Sequence, residues 1–150
     1  MFSRLSLHCS VAFALSLAAS AETVALPKST GVLPATATSK PFMAVANNVV
    51  PMDLAKYGYV EEEFILTGTA NVYDWASDGT VSVKTPNAPY GNRVLVRRPA
   101  NASKFSGTVI VEINNAARRY DWSMMWGYGR EYWLEHGDAW VGLPVPAALD

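Results

Sequence analysis

"GTVIVEINNAARRYDWSMMWGYGREYWLEHGDAWVGLPV", residues 107–145, sets two apolar runs on either side of a helical stretch. In "TVIVEIN", residues 108–114, Val109, Ile110, Val111 and Ile113 are nearly continuous and only Glu112 interrupts them. Such a run predicts a strand buried on both faces of a largely parallel sheet. "NAARRYD" turns the chain, Asp121 suits the N-cap, and a helix is expected from about Trp122 to His136. Trp122, Trp126, Gly129 and Trp133, flanked by Met125 and Tyr132, recur at helical spacing and predict one wide apolar face. Gly137 stands where the helix should stop, and "AWVGLPV", residues 139–145, reads as a second buried strand. Strand, helix and strand at these lengths form a right-handed crossover between parallel strands, so the fold class is α/β. Ligands of such sheets sit beyond the carboxyl ends of the strands, which points to "NNAARR", residues 114–119.

Upstream of this unit the pattern is that of antiparallel strands. Pro51 suits an early helical position and Gly58 a left-handed stop, so "MDLAKY" predicts a short helix. From Val60 to Tyr73 β-branched and aromatic residues dominate, with Gly68 a bulge or bend. Glu61, Glu62 and Glu63 read as a solvated strand entrance, because no His or Cys lies near to complete a metal set. Asp78-Gly79 predicts a hairpin tip, and Pro86, Pro89 and Gly91-Asn92 are further turn signals before the strand "RVLVRRP", residues 93–99. Asn101-Ala102-Ser103 matches the N-glycosylation sequon in a polar loop, which a eukaryotic host could modify.

The start of the chain reads as an address. Arg4 is followed by the apolar "LSLHCSVAFALSLAA" and by Ala19-Ser20-Ala21, so residues 1–21 are expected to be a secretory signal cut before Glu22. The run is broken by Ser and His and falls short of the ~20 apolar residues of a bilayer span, so no membrane attachment is expected after cleavage. Without Arg4 the remainder holds 11 Lys and Arg against 13 Asp and Glu, a balance that gives nucleic acid no basic surface. Cys9, the single cysteine, lies inside the signal, which excludes disulfides, Cys metal sites and a cysteine nucleophile from the mature chain. Residues 22–51, rich in Pro, Thr, Ser and Ala, read as a flexible leader or surface-hugging segment, leaving 52–150 for one domain. No phosphate loop, dinucleotide fingerprint or metal set occurs, and no cofactor is expected.

Three blocks, "DLAKYGYVEEEFILTGTANVYDW", "PYGNRVLVRRPANASKFSGTVIVEINN" and "WLEHGDAWVGL", together resemble the amino-terminal part of a family of secreted or exported α/β-hydrolase-domain proteins, over about residues 53–143. The resemblance implies an α/β-hydrolase sheet, in which "GTVIVEIN" is the third strand and "AWVGLPV" the fourth. It also implies a Ser, acid, His triad acting on a small-molecule ester.

The sequence departs from that pattern where the chemistry should be. The nucleophile elbow G-x-S-x-G occurs nowhere in the 150 residues. His136, the one histidine after the signal, stands at the predicted helix end, where a cation suits the dipole, and Asp121 and Asp138 have no serine to work with. What remains is the loop after the third strand, which in this fold supplies one oxyanion N–H. Asn115 or Ala116 is the candidate backbone donor, with Asn114 positioning it; a plain polar turn is the competing reading. Arg118 and Arg119 read as a solvated pair or as a guide for an acidic substrate.

The expectation is therefore an incomplete α/β-hydrolase domain, truncated before its serine and inactive alone. An alternative is a non-catalytic secreted binding module that presents Trp75, Trp122, Trp126, Trp133 and Trp140 to a flat ligand, although helical spacing assigns Trp122, Trp126 and Trp133 to a core. A third is the product of an interrupted reading frame, unstable and prone to self-association through an unpaired edge on "AWVGLPV".

Overall fold

The computed structural model describes residues 25–48, 50–115 and 121–145. The predicted signal, Ala116, Arg118 and Arg119 lie outside the described residues. Five strands form one sheet: β1 (Lys28–Ser29), β2 (Tyr59–Trp75), β3 (Val81–Pro99), β4 (Val109–Ile113) and β5 (Ala139–Leu143), in the order β1-β2-β3-β5-β4. β1 to β3 are antiparallel, β5 joins β3 antiparallel, and β4 lies parallel to β5. Helix α1 (Met124–His136) crosses from β4 to β5. The sequence-based class, antiparallel strands followed by a parallel strand-helix-strand unit, is the observed one. Among the described residues no helix is long and apolar enough to cross a membrane.

Leu54–Tyr57 makes a 3-10 turn capped by Asp53, whose carboxylate accepts from the Ala55 N–H, and Gly58 ends it at φ 71°. From there β2 and β3 run far longer than their sequences suggest. Pro86, Pro89 and Gly91-Asn92 do not turn the chain, because β3 continues through all of them. Pro86 and Asn87 fall in the irregularity of the β2–β3 register, where Asn87 takes a φ of 51° and its N–H is bonded by the Asn71 side chain at 3.1 Å. A bulge is one of the few places in a sheet where proline's missing N–H costs little. Gly68 is not the bulge; it pairs with Tyr90, whose ring occupies the space a Cβ would take.

The acidic run is not solvated. Glu61, Glu62 and Glu63 stand opposite Arg97, Val96 and Leu95 on β3 and pair with Arg97, Arg98 and Arg93 respectively. Glu62 holds Arg98 through two bonds of 2.9 and 3.0 Å. Glu63 and Glu61 also reach out of the sheet, accepting the backbone N–H groups of Phe42 at 3.3 Å and of Val45 at 3.0 Å. These bonds hold residues 42–45 of the leader region against the sheet as a strap, with Ala44 and Val45 buried.

The core lies on the face shared by α1 and this strap. It gathers Leu95, Trp126, Leu134 and Trp140 with Val45, Leu54 and Tyr59. Arg97 is fully buried among them, its guanidinium 4.2 Å from the Trp126 ring and 4.5 Å from the Trp140 ring, bonded to Glu61 and to the Met43 carbonyl. Burial lowers its affinity for the proton, and the Glu61 and Glu112 carboxylates oppose that shift. Helix α1 buries a narrower stripe than expected: Trp126 and Leu134 are inside, whereas Met125, Tyr128 and Tyr132 are exposed.

The helix end follows the prediction. Gly137 takes φ 78°, its N–H bonds to the Trp133 carbonyl, and the Lys104 carbonyl approaches too closely to leave space for a Cβ. The helix start does not follow it. Ser123 holds the N-cap position without a side-chain cap bond, and Asp121 precedes it. The capping function passes to Glu112 of β4, which accepts from the N–H groups of Met125 at 2.8 Å and Trp126 at 3.0 Å.

Glu112 thus reverses the reading of its strand. It is buried, while Val109, Val111 and Ile113 are 50%, 59% and 70% exposed, because successive side chains alternate faces and only the α1 face is covered. The edge is also relocated. The crossover carries the chain past β4, so β5 is inserted between β3 and β4, and the outer edge among the described residues belongs to β4 and not to "AWVGLPV".

Candidate functional site

The parallel pair ends at Ile113 and Leu143, and Asn114 follows with its N–H donated to the Leu143 carbonyl at 2.8 Å. Its side chain is buried, the amide 3.2 Å from Met43 Sδ, and its Oδ1 has no hydrogen-bond partner among the described residues. Asn114 is therefore a fixed end to the strand, suited to positioning what comes next. Asn115 is exposed and exchanges backbone bonds with Trp122, its N–H to the Trp122 carbonyl at 3.0 Å and the Trp122 N–H to its own carbonyl at 3.2 Å. Through this bridge Asn115, just after β4, lies beside Trp122, just before α1. The Asn115 N–H is thereby committed within the chain, so using it for an oxyanion requires the bridge to open.

Next to Trp122 lies a groove of about 860 Å³ between the strap and the amino-terminal turns of α1. Phe42, Met43, Trp122 and Tyr128 give it aromatic and apolar walls, and Asn47, Asp121 and Arg130 add polar groups. Its volume falls within the range of small-molecule sites, and it lies beyond the carboxyl end of β4, where ligands of open α/β sheets bind. Trp126 Nε1 and Arg130 Nε, on residues that line the groove, are buried without acceptors among the described residues.

Of the other polar residues, His136 serves the helix end: Nδ1 is 2.7 Å from the Tyr132 carbonyl and the ring stacks on Tyr132 at 3.8 Å. Asp138 accepts from the Ser106 hydroxyl at 2.6 Å, binding the loop before β4 to the helix end. Neither stands beside Asn114 in a catalytic set, and no group of three His, Cys, Asp or Glu able to hold a metal occurs among the described residues. Trp126 and Trp140 are buried core side chains, with Trp126 at the floor of the groove, while Trp75 and Trp122 are exposed. The role of Glu112 was missed in the sequence. Its one signal was an acid alone in an apolar strand just before a helix.

The mixed sheet, with its parallel pair joined by a crossover helix, is consistent with a partial α/β-hydrolase fold. The chain matches the alpha/beta hydrolase domain family over residues 24–148 and belongs to that family. No curated protein and no solved structure matches it.

Proposed function

We propose that this chain forms the oxyanion-loop side of an exported carboxylic-ester hydrolase, whose nucleophilic serine, acid and histidine are supplied by sequence outside these 150 residues. The observation that carries the reading is the end of β4: Asn114 and Asn115 contact Met43 and Trp122, which line a substrate-sized groove, yet the sequence holds no nucleophile elbow. In the assembled site a serine attacks the ester carbonyl, a histidine takes its proton and passes it to the leaving alcohol, and backbone N–H groups hold the oxyanion. The loop after Asn115 contributes one such donor, of the kind that supplies ~3 kcal/mol in the transition state. Of the two candidates, Asn115 has its N–H engaged by the Trp122 carbonyl, which leaves Ala116 as the donor to be tested. Phe42, Trp122 and Tyr128 offer an apolar wall to the acyl or alcohol group. Export rests on the Arg4, apolar run and Ala19-Ser20-Ala21 pattern.

By itself the chain is expected to hydrolyse nothing. Purified protein incubated with p-nitrophenyl acetate and butyrate should release p-nitrophenol no faster than buffer. Turnover that a serine-directed fluorophosphonate leaves untouched would sink the proposal, since it would place chemistry in this chain without the triad.

A further inference from the structure

The groove against the start of α1 carries two hydrogen-bond donors that the fold does not use. Trp126 and Arg130 stand one turn apart on α1, so their side chains are neighbours along the wall of the groove. Trp126 is 1% exposed, and its Nε1 and the Arg130 Nε are both buried without an acceptor among the described residues. A buried donor left unbonded costs stability, and two of them on adjacent turns of one wall mark a place where an acceptor is expected. Arg130 also differs from the other described arginines. Arg93, Arg97 and Arg98 are each paired with a glutamate of β2, and Arg93 and Arg97 lie over aromatic rings besides. Arg130 has neither an ion pair nor a ring contact among the described residues. It is a half-buried cation without a counter-charge, in the wall of a groove of substrate size.

We propose that Arg130 anchors a carboxylate, and that the groove takes the acid-bearing end of a hemiester, an apolar molecule with one ester and one free carboxylate. The ester end rests on the hydrolase reading above; the carboxylate subsite rests on Arg130 and the groove alone. A guanidinium presents coplanar N–H donors that match the two oxygens of a carboxylate, and such charge-assisted bonds are stronger than those to a neutral acceptor. Asp121 is the other charged residue among those lining the groove, and it does not pair with Arg130. It precedes the helix, whereas Arg130 lies beyond the Ser123 N-cap by roughly 10 Å along the axis, at ~1.5 Å per residue. The groove is therefore polarised. An acid group is repelled at the Asp121 end and attracted at the Arg130 end, which leaves the uncharged ester toward Trp122, the residue bridged to Asn115 after β4. Phe42, Met43 and Tyr128 offer apolar walls to the body of the molecule. A phosphate dianion fits less well, since Arg130 is the one cation among the described lining residues and Asp121 opposes a second negative charge.

Isothermal titration calorimetry of the purified chain tests the proposal, with monomethyl suberate as the probe and dimethyl suberate as its uncharged counterpart. The hemiester should bind about tenfold tighter than the diester. Arg130→Gln should abolish that preference, and Arg130→Lys, which keeps the charge, should retain most of it, with far-UV circular dichroism unchanged in both. Suberate, whose second carboxylate meets Asp121, should bind more weakly than the hemiester, and Asp121→Asn should close that gap. No binding of the hemiester at millimolar concentration overturns the proposal. So does equal affinity for hemiester and diester, which leaves an apolar groove without an anion subsite. A loss in Arg130→Gln that falls equally on both probes also overturns it, because the arginine then serves the fold and not the acid. Suberate binding as tightly as the hemiester overturns the orientation. The titration reads binding and not turnover, so its failure leaves the hydrolase reading to the p-nitrophenyl ester assay, and turnover in that assay would leave the carboxylate subsite standing.

Discussion

The two faces of β4 differ in a way that hydropathy does not anticipate. On the α1 face a carboxylate, Glu112, is buried between β5 and the helix start; on the opposite face Val109, Val111 and Ile113 are more than half exposed or at that limit, at 59%, 70% and 50% for Val111, Ile113 and Val109. Cover, and not the side chain, decides the outcome. The α1 face has a helix and the strap over it. The acid is tolerated there because three N–H groups converge on it: Met125 at 2.8 Å, Trp126 at 3.0 Å and Trp140 Nε1 at 2.9 Å. It sits at the positive end of the helix, with the Arg97 cation in the same cluster.

The largest effect should come from removing that carboxylate. Glu112→Ala leaves three donors, two of them buried, without their acceptor and takes from Arg97 one of its two compensating anions. Each abandoned donor costs about 1–3 kcal/mol, so a loss of roughly 4 kcal/mol is expected from urea unfolding. Glu112→Gln keeps an acceptor oxygen and should lose about half as much. Equal losses in the two variants would mean that charge, and not hydrogen bonding, carries the cap.

A smaller effect should come from the seam where the core closes. The Tyr59 hydroxyl is 2.9 Å from both the Trp133 and Asp138 carbonyls, joining the start of β2 to the end of α1. Tyr59→Phe should cost about 1–2 kcal/mol near neutral pH. Burial raises the phenol pKa above its ordinary value of 10.0, and the Asp138 charge adds to the shift. The folded state holds the proton more tightly than the unfolded state. Its contribution is therefore fully present below about pH 10 and is lost as pH rises from there through the folded-state value. Tyr59→Phe should be measurably less sensitive to pH in that alkaline window, and an unchanged pH profile would remove the seam from the account.

The contrast between the faces also marks how much was legible in the sequence. The α/β class, the hairpin tip at Asp78-Gly79 and the stop at Gly137 follow from local chemistry, because a left-handed turn or an apolar run is specified by its own residues. What failed depended on residues far apart in the chain. Glu61 to Glu63 looked solvated because the arginines that pair with them lie 30 to 36 positions away, although the complementary "EEE" and "RVLVRR" were both in view. Asp121 looked like a cap because the actual acceptor, Glu112, reaches the helix from a strand. Pro86 looked like a turn because its bulge needs the facing Asn71 to be recognised, and Pro89 because its pairing with Thr69 joins residues 20 positions apart. At the candidate site, the end of β4 before Asn114 was legible from the end of an apolar run. The groove was not, since the strap that walls it is held by Glu61 and Glu63 across the sheet.

The smallest effect on stability should come from the uncovered face. Val111→Lys replaces an apolar side chain that is more than half in water, so little transfer free energy is lost and unfolding should shift by no more than ~0.5 kcal/mol. A lysine on an edge strand also discourages pairing with another chain, because it obstructs the ladder and must shed its hydration to fit. The variant should therefore be at least as soluble as the parent and aggregate more slowly on heating, as followed by light scattering at equal concentration. The same change on the covered face, Ile110→Lys, would place an ammonium beside Trp140, its partner on β5, and should be strongly destabilising. The pair measures cover directly, since the two positions are neighbours in one strand and differ in the face they present. A loss at Val111 approaching that at Ile110 would show that something packs on the second face in solution, and the asymmetry of the sheet would have to be redrawn around it.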